Sequence, residues 1–190
     1  AGKTSLVRAL LEQTSGIEVS VSHTTRSPRP GEENGRHYHF TDTASFEQMV
    51  EASAFLEHAR VFDNYYGTAK SSVDGPLQQG QDVILEIDWQ GARQVRARFP
   101  DSISIFIAPP SITVLRARLA GRGQDSSEVV ERRMREARSE LSHFPEYDYL
   151  VINDDFNVAL VELRAIVAAE RLREPRQAAR FSGALAEMLG

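Results

Sequence analysis

Apolar positions along this chain change their period several times, and each change predicts an element. Leu6, Val7, Leu10 and Leu11 recur at helical spacing directly after Gly2-Lys3-Thr4-Ser5. Residues 17–21 alternate apolar and polar, which predicts a strand running into a loop rich in Pro and Gly. Residues 37–40 read as a second short strand, and Thr43 as the N-cap of a helix that buries Phe46, Met49 and Val50. Residues 55–62 form a strand with Glu57 set among apolar neighbours, and residues 64–68 turn into another. Short strands with little helix between them predict a small lobe over about residues 23–69.

The second half changes rhythm. Residues 72–79 read as a short helix ended by Gly80. Residues 82–88 are almost continuously apolar and end in carboxylates, as in a parallel strand buried on both faces. Gly91 opens a helix to about Arg98, and residues 103–108 form another central strand, stopped by Pro109-Pro110. Ser111 starts a helix that breaks at Gly121-Arg122-Gly123, and a second helix runs from Ser127 to His143. Residues 149–153 are the last strand. The helix after it is expected to bury Val158, Val161, Ala165, Ala169 and Leu172 as one stripe. Residues 173–190 read as a loosely docked terminal helix. Strand and helix alternate as in an α/β sheet with right-handed crossovers. Ligands in such folds sit at the C-terminal strand ends, where Glu86 and Asp88 lie.

Composition narrows the class. The length of 190 residues suits one domain, and 41% hydrophobic with 26% charged content is ordinary for a soluble protein. A net charge of −5 argues against bulk attraction to nucleic acid, because the basic residues are local, within 26–36 and 116–138. With no cysteine, disulfides and thiolate metal sites are excluded. No apolar run approaches the ~20 residues that span a membrane, and no signal peptide is evident, so cytoplasm is the expectation. Nothing in the pattern specifies an oligomeric state.

Chemistry concentrates in residues 20–40. Arg26 and Arg29 lie in a loop stiffened by Pro28 and Pro30, opened by Ser22, Thr24 and Thr25 and closed by Tyr38. Two guanidinium forks held on such a loop can grip a phosphate; the alternative is a solvated basic loop. Gly2-Lys3-Thr4 before an apolar helix is the second half of a phosphate-binding loop. There the helix dipole and free N–H groups favour an anion, Lys3 reaches β- and γ-phosphates, and Thr4 ligates Mg²⁺. An ordinary helix start is the alternative. The full motif expects a glycine five residues before Lys3 and an apolar strand before that. A polypeptide starting at Ala1 lacks that strand, which bears on its own catalysis. The arginines of residues 111–144 are mostly solvated i,i+4 partners of glutamates, but Arg118, Arg122 and Arg133 suit a lid closing over phosphates. His37 and His39 share a strand face without a third ligand, so an exposed or satisfied histidine is expected for each.

Several of these motifs, in this order, resemble guanylate kinases of the bacterial type, from the first residue to about Arg176. SHTTRSPRPGEENGRHY is similar to the family's GMP-phosphate loop, VFDNYYGTAKSSV to its guanine lobe, ILEIDWQG to its central strand, RLAGRGQDS to its lid and YDYLVINDD to its last strand. The resemblance implies a P-loop three-layer fold with a central parallel sheet, a small mixed β GMP-binding lobe and a helical lid. The core would be 1–22, 70–110 and 145–190, the lobe about 23–69 and the lid about 111–144.

It also implies roles. Arg26, Arg29, Tyr38 and Tyr66 would hold the GMP phosphate; Ser22, Glu57, Thr68 and Asp88 would recognise guanine or orient the nucleotide. Gly2, Lys3, Thr4, Ser5, Arg118 and Asn153 would bind ATP, with Lys3, Arg122 and Arg133 catalytic. Thr4 would hold Mg²⁺, with Glu86 arranging its waters or standing as a plain strand-end carboxylate. A carboxylate at 57 matches the adjacent N1–H and N2–H₂ donors of guanine; adenine leaves it badly paired. Its alternative is an exposed strand carboxylate, and that of Tyr38 and Tyr66 is core packing. The implied reaction is ATP + GMP ⇌ ADP + GDP. Two rivals remain: a non-catalytic phosphopeptide-binding module of the same fold, and a kinase for a phosphorylated sugar.

Overall fold

Helix α1 (Lys3–Gln13) turns Leu6, Val7 and Leu10 inward, and Leu6 and Leu10 join the largest apolar cluster of the molecule. The computed structural model describes residues 2–61, 63–120 and 127–190, without the side chains of residues 119–120, 127–130, 132 and 133. Strand β1 (Ile17–Val19) follows, then β2 (His23–Thr24) and β3 (His39–Phe40) on either side of the Arg loop. Next come α2 (Thr43–Glu51), β4 (Phe55–Val61), β5 (Asn64–Ala69), α3 (Ser71–Gln78) and β6 (Asp82–Ile84). The order continues α4 (Trp89–Arg98), β7 (Ile105–Ala108), α5 (Ile112–Ala120), α6 (Ser127–Leu141), a 3₁₀ turn (Phe144–Glu146) and β8 (Tyr149–Ile152). It ends with α7 (Phe156–Arg171), α8 (Glu174–Arg180) and α9 (Ser182–Leu189).

The strands form two kinds of sheet. β1 pairs parallel with β6, and β7 parallel with β8. Ile17, Ile84, Ile105, Ile107 and Val151 of these pairs all pack on one cluster with α1 and α7. The other sheet is mixed and four-stranded, in the order β3-β2-β5-β4, with only β2–β3 parallel. Phe46 of α2 stacks between Phe55 and Tyr65, at ring centroid distances of 4.5 and 5.4 Å, which fastens that helix to the mixed sheet. The chain is thus an α/β protein with mixed sheets.

Local chemistry corrects several boundaries. Asp42, not Thr43, caps α2, because its carboxylate accepts from Ser45 N at 2.8 Å. The parallel ladder of β6 stops at Ile84, where β1 ends, so residues 85–88 are irregular. α4 starts at Trp89, two residues before Gly91, because Asp88 caps it by accepting from the Gly91 N–H at 3.0 Å. The stripe expected on α7 is the wrong face. Val158, Val161 and Leu172 are 56%, 61% and 69% exposed, whereas Ala159, Leu160 and Leu163 are buried. This helix is apolar on both faces, and packing against α1 selects one. The terminal segment is two short helices rather than one.

Candidate active site

The mixed sheet places Glu57 on β4 directly across from Thr68 on β5. A register irregularity between Phe55 and Glu57 lets three successive side chains of β4 face inward, so Glu57 is only 4% exposed. Thr68 is fully buried, and its hydroxyl lies 3.4 Å from that of Ser22. Burial pushes the Glu57 carboxyl above its ordinary range; a hydrogen bond from Thr68 pulls it back, and the charge of Asp88 adds to the rise. Asp88 is therefore a neighbour of Glu57 as well as the cap of α4. Its second oxygen accepts from Gln90 Nε2 at 2.9 Å.

The Arg loop supplies the next group. Arg26 lies over the ring of Tyr38, 5.4 Å from its centroid, and Tyr38 meets Tyr66 edge to face at 6.0 Å. Residue 32, which the sequence reading passed over, is central here. Both oxygens of Glu32 accept from Arg26 Nη2 at 2.9 Å, and one accepts from the Arg29 N–H at 2.7 Å. Burial pushes this carboxyl up, but the Arg29 N–H and the Arg26 guanidinium bring it below its ordinary value. A carboxylate thus already occupies Nη2 of one of the two guanidinium groups expected to take a phosphate, that of Arg26. Burial raises Tyr38 above its usual range, reinforced by Tyr66 and by Glu86 and opposed by Arg26.

Glu86 links that group to α1, because Thr4 Oγ1 donates to Glu86 Oε2 at 2.8 Å. Gly2 caps α1 with a left-handed φ of 82° and offers no side chain, which leaves first-turn N–H groups without a side-chain cap. Lys3 Nζ donates to the carbonyl of Ile87 at 3.4 Å and lies 4.0 Å from Glu140 of α6. Ser5 is exposed in the same turn. A Cβ on Gly2 would stand 2.7 Å from Asn153 Nδ2, so glycine is required there twice, by conformation and by space. Asn153 is buried, and Arg118 Nη1 donates to its carbonyl at 3.1 Å. Arg122 and the side chain of Arg133 lie outside the described residues.

Thr4 and Glu86 offer two hard oxygen donors in contact, which fits Mg²⁺. Among the described residues no cluster of three or more His, Asp or Glu could hold an ion alone. Nucleotide-bound Mg²⁺ needs none, since phosphates and water fill most of its positions. His39 stacks on His23 at 4.6 Å, and His37 Nδ1 accepts from the Glu33 N–H at 3.0 Å. An apolar groove of about 430 Å³ between α8 and α9 carries none of these residues.

The guanylate kinase family model matches residues 1–170. The chain belongs to the guanylate kinase family. It is 60% identical over 189 residues to the guanylate kinase of Chromohalobacter salexigens, covering 100% of this chain and 88% of that protein. It is 58% identical over 190 residues to that of Alkalilimnicola ehrlichii, covering 100% and 94%. The fold is similar to the crystal structure of guanylate kinase from Anaplasma phagocytophilum, with a TM-score of 0.79 and 33% identity over 91% of this chain and 84% of that one. The groups of the candidate site come chiefly from the Arg loop, β4, β5, α1 and the β6–α4 segment.

Two residues beside these groups escaped sequence reasoning: Glu32, which holds Arg26, and Gly91, where a Cβ would meet the Glu57 carboxyl. Glu32 carried a readable signal, an acid six positions from Arg26 in a turn-rich loop. Gly91 carried less, since a glycine near a helix start has many explanations.

Proposed function

We infer that this member of the guanylate kinase family transfers the γ-phosphate of ATP to GMP, giving ADP and GDP. One arrangement carries the reading: Arg26 of the phosphate loop lies over Tyr38, and the charge of Glu86, which bonds Thr4 on α1, acts on the Tyr38 hydroxyl. Anion-binding groups of two separate elements therefore serve one cleft. The two parallel pairs are halves of one central sheet, the mixed sheet is the acceptor lobe, and α5 and α6 are the lid.

In this reading Arg26, Arg29, Tyr38 and Tyr66 take the GMP phosphate, sharing their donors with Glu32. Glu57, Thr68, Ser22 and Asp88 read the base. Glu57 accepts from guanine N1–H and N2–H₂, and its burial makes an unmatched base costly. Lys3 and the first-turn N–H groups of α1 hold the β- and γ-phosphates of ATP, Arg118 and Asn153 flank its adenine side, and Arg122 and Arg133 close from the lid. Thr4, with Glu86, would hold Mg²⁺, which supplies charge neutralisation on the phosphates when bound. A GMP phosphate oxygen forms the bond to the γ-phosphorus while the bond to the β–γ bridging oxygen breaks, and its electron pair leaves with ADP. The nucleophile is already an anion, so no side-chain base is needed. The chain's task is alignment and screening of two repelling anions. The cytoplasm is the compartment consistent with these substrates, and no described helix is long and apolar enough to cross a membrane.

The test is a coupled assay of ADP and GDP formation by the full-length protein, with GMP, AMP, CMP and pentose phosphates as acceptors. GDP formation with strong preference for GMP is expected. Tight GMP binding without turnover would leave only a binding module, and preference for a sugar phosphate would move the substrate class.

A further inference from the structure

We propose that Gly91 is a positioning residue for guanine specificity: its missing side chain is the space in which the Glu57 carboxylate stands. The proposal rests on the reading of Glu57 as the guanine acceptor. Gly91 is buried in the first turn of α4, and its φ lies outside the left-handed region, so the backbone there does not demand glycine. Helix propensity argues against it, since alanine suits a helix better. What forbids alanine is space. A Cβ at residue 91 would run into Glu57 Oε2 and stand 3.1 Å from Glu57 Cδ, with Ile87 Cβ at 3.2 Å. The two nearest atoms both belong to the carboxyl group, not to the backbone of β4.

Neither element can readily back away. Gln94, one turn further along α4, accepts from the His58 N–H at 3.2 Å and donates to the His58 carbonyl at 2.8 Å. That amide pins α4 to the free edge of β4, one residue from Glu57. On the other side Glu57 meets the fully buried Thr68. A methyl group at 91 therefore displaces the carboxylate itself. The Gly91 N–H, which binds Asp88 Oδ1 at 3.0 Å, is unchanged by such a substitution, so the effect is steric.

The experiment measures kcat and KM for GMP and IMP, and KM for ATP, in the full-length protein. IMP keeps N1–H but lacks the 2-amino group, so it reports on the second carboxylate contact. Gly91→Ala is expected to lower kcat/KM for GMP by ~10–100-fold, mostly through KM, and to shrink the GMP over IMP preference, with KM for ATP unchanged. Shortening the carboxylate restores the room, so Gly91→Ala/Glu57→Asp should do better than the product of the two single losses. Gly75→Ala in α3, where a Cβ meets nothing within 4 Å, is the control for alanine in a helix and should leave KM for GMP unchanged. A wild-type GMP over IMP ratio in Gly91→Ala, or a double variant no better than the product, overturns the proposal. If Gly91→Ala alone does not fold, recovery of folding in the double variant supports the carboxylate clash, and failure to recover refutes it. A wild-type protein that phosphorylates no GMP refutes the underlying reading instead.

Discussion

The Glu57 pocket and the N-terminus of α1 are built on opposite terms. Glu57 and Thr68 are 4% and 0% exposed and already hold each other, in a sheet fastened by aromatic stacking. The Lys3 side chain is 43% exposed and makes only long contacts. Recognising a base needs removal of water, because a hydrogen-bond donor pattern is discriminated only where unmatched groups stay unsatisfied. Gripping a triphosphate needs mobile positive charge and free N–H groups, which work while partly wet. Glu57 and Thr68 thus sit in a dry, pre-formed pocket, whereas the Lys3 ammonium is half in water.

The sharpest way to break that contrast is Lys3→Met. It should lower kcat by ~10²–10³-fold while leaving KM for GMP close to wild type, measured by steady-state kinetics. A large rise in KM for GMP would mean the two halves are not separate.

A smaller effect is expected from Glu57→Gln, which should lower kcat/KM for GMP by ~10–100-fold, mainly through KM. The same variant should be more stable at pH 7. In the native state Glu57 titrates above its ordinary value of 4.5, so the unfolded chain ionises first. Its favourable contribution is complete below the unfolded value and is lost as pH rises through the native one. Above the native value the folded state carries a buried charge that glutamine removes. Thermal melts should show the variant's advantage at pH 7 fading as pH falls toward 4.5; a lower melting point at pH 7 would contradict this.

The smallest effect concerns the joint between α4 and the 3₁₀ turn before β8. Arg93 of α4 grips Glu146 through two bonds of 2.7 Å, and His143, which accepts or donates at 2.7 Å to the same carboxylate, stacks on Trp89 at 3.9 Å. Arg93 and then His143 bring Glu146 down to about 2, below its ordinary 4.5. A depressed carboxylate stabilises above the unfolded value and loses that contribution as pH falls through the native one. Glu146→Gln should lower the urea midpoint modestly near neutrality, with the difference gone near pH 2, and leave the GMP over IMP ratio untouched. A changed ratio would make this joint part of the acceptor wall.

Much of the site was legible because its chemistry is carried by runs of adjacent residues. The Arg loop, the Gly-Lys-Thr helix start and the carboxylates after β6 each declare themselves locally, and in the structure Glu86 bonds Thr4 of that helix while its charge reaches Tyr38 beside the loop. What stayed hidden depends on distance in sequence. Glu57 alternated with apolar neighbours, which is equally the pattern of a half-exposed strand; its burial follows from the sheet register and from α4 closing the edge. Helix α7 carried two apolar faces, and the expected one points to solvent because α1 packs on the other. Glu170 is buried there despite its charge, because the Tyr149 hydroxyl donates to it at 2.6 Å. Sequence reasoning has no term for a partner 21 positions away.

By itself the sequence determined the α/β class, most elements to within a few residues, and where charged and hydroxyl side chains are concentrated. Those properties rest on local hydrogen bonding and on periodicity, which short stretches encode alone. Only the tertiary structure decided which face of α7 is core, that Glu32 stands on the Arg-loop donors, and that a Cβ at residue 91 would meet Glu57. Those depend on which remote surfaces meet, and contact between remote surfaces is set by packing of the whole chain.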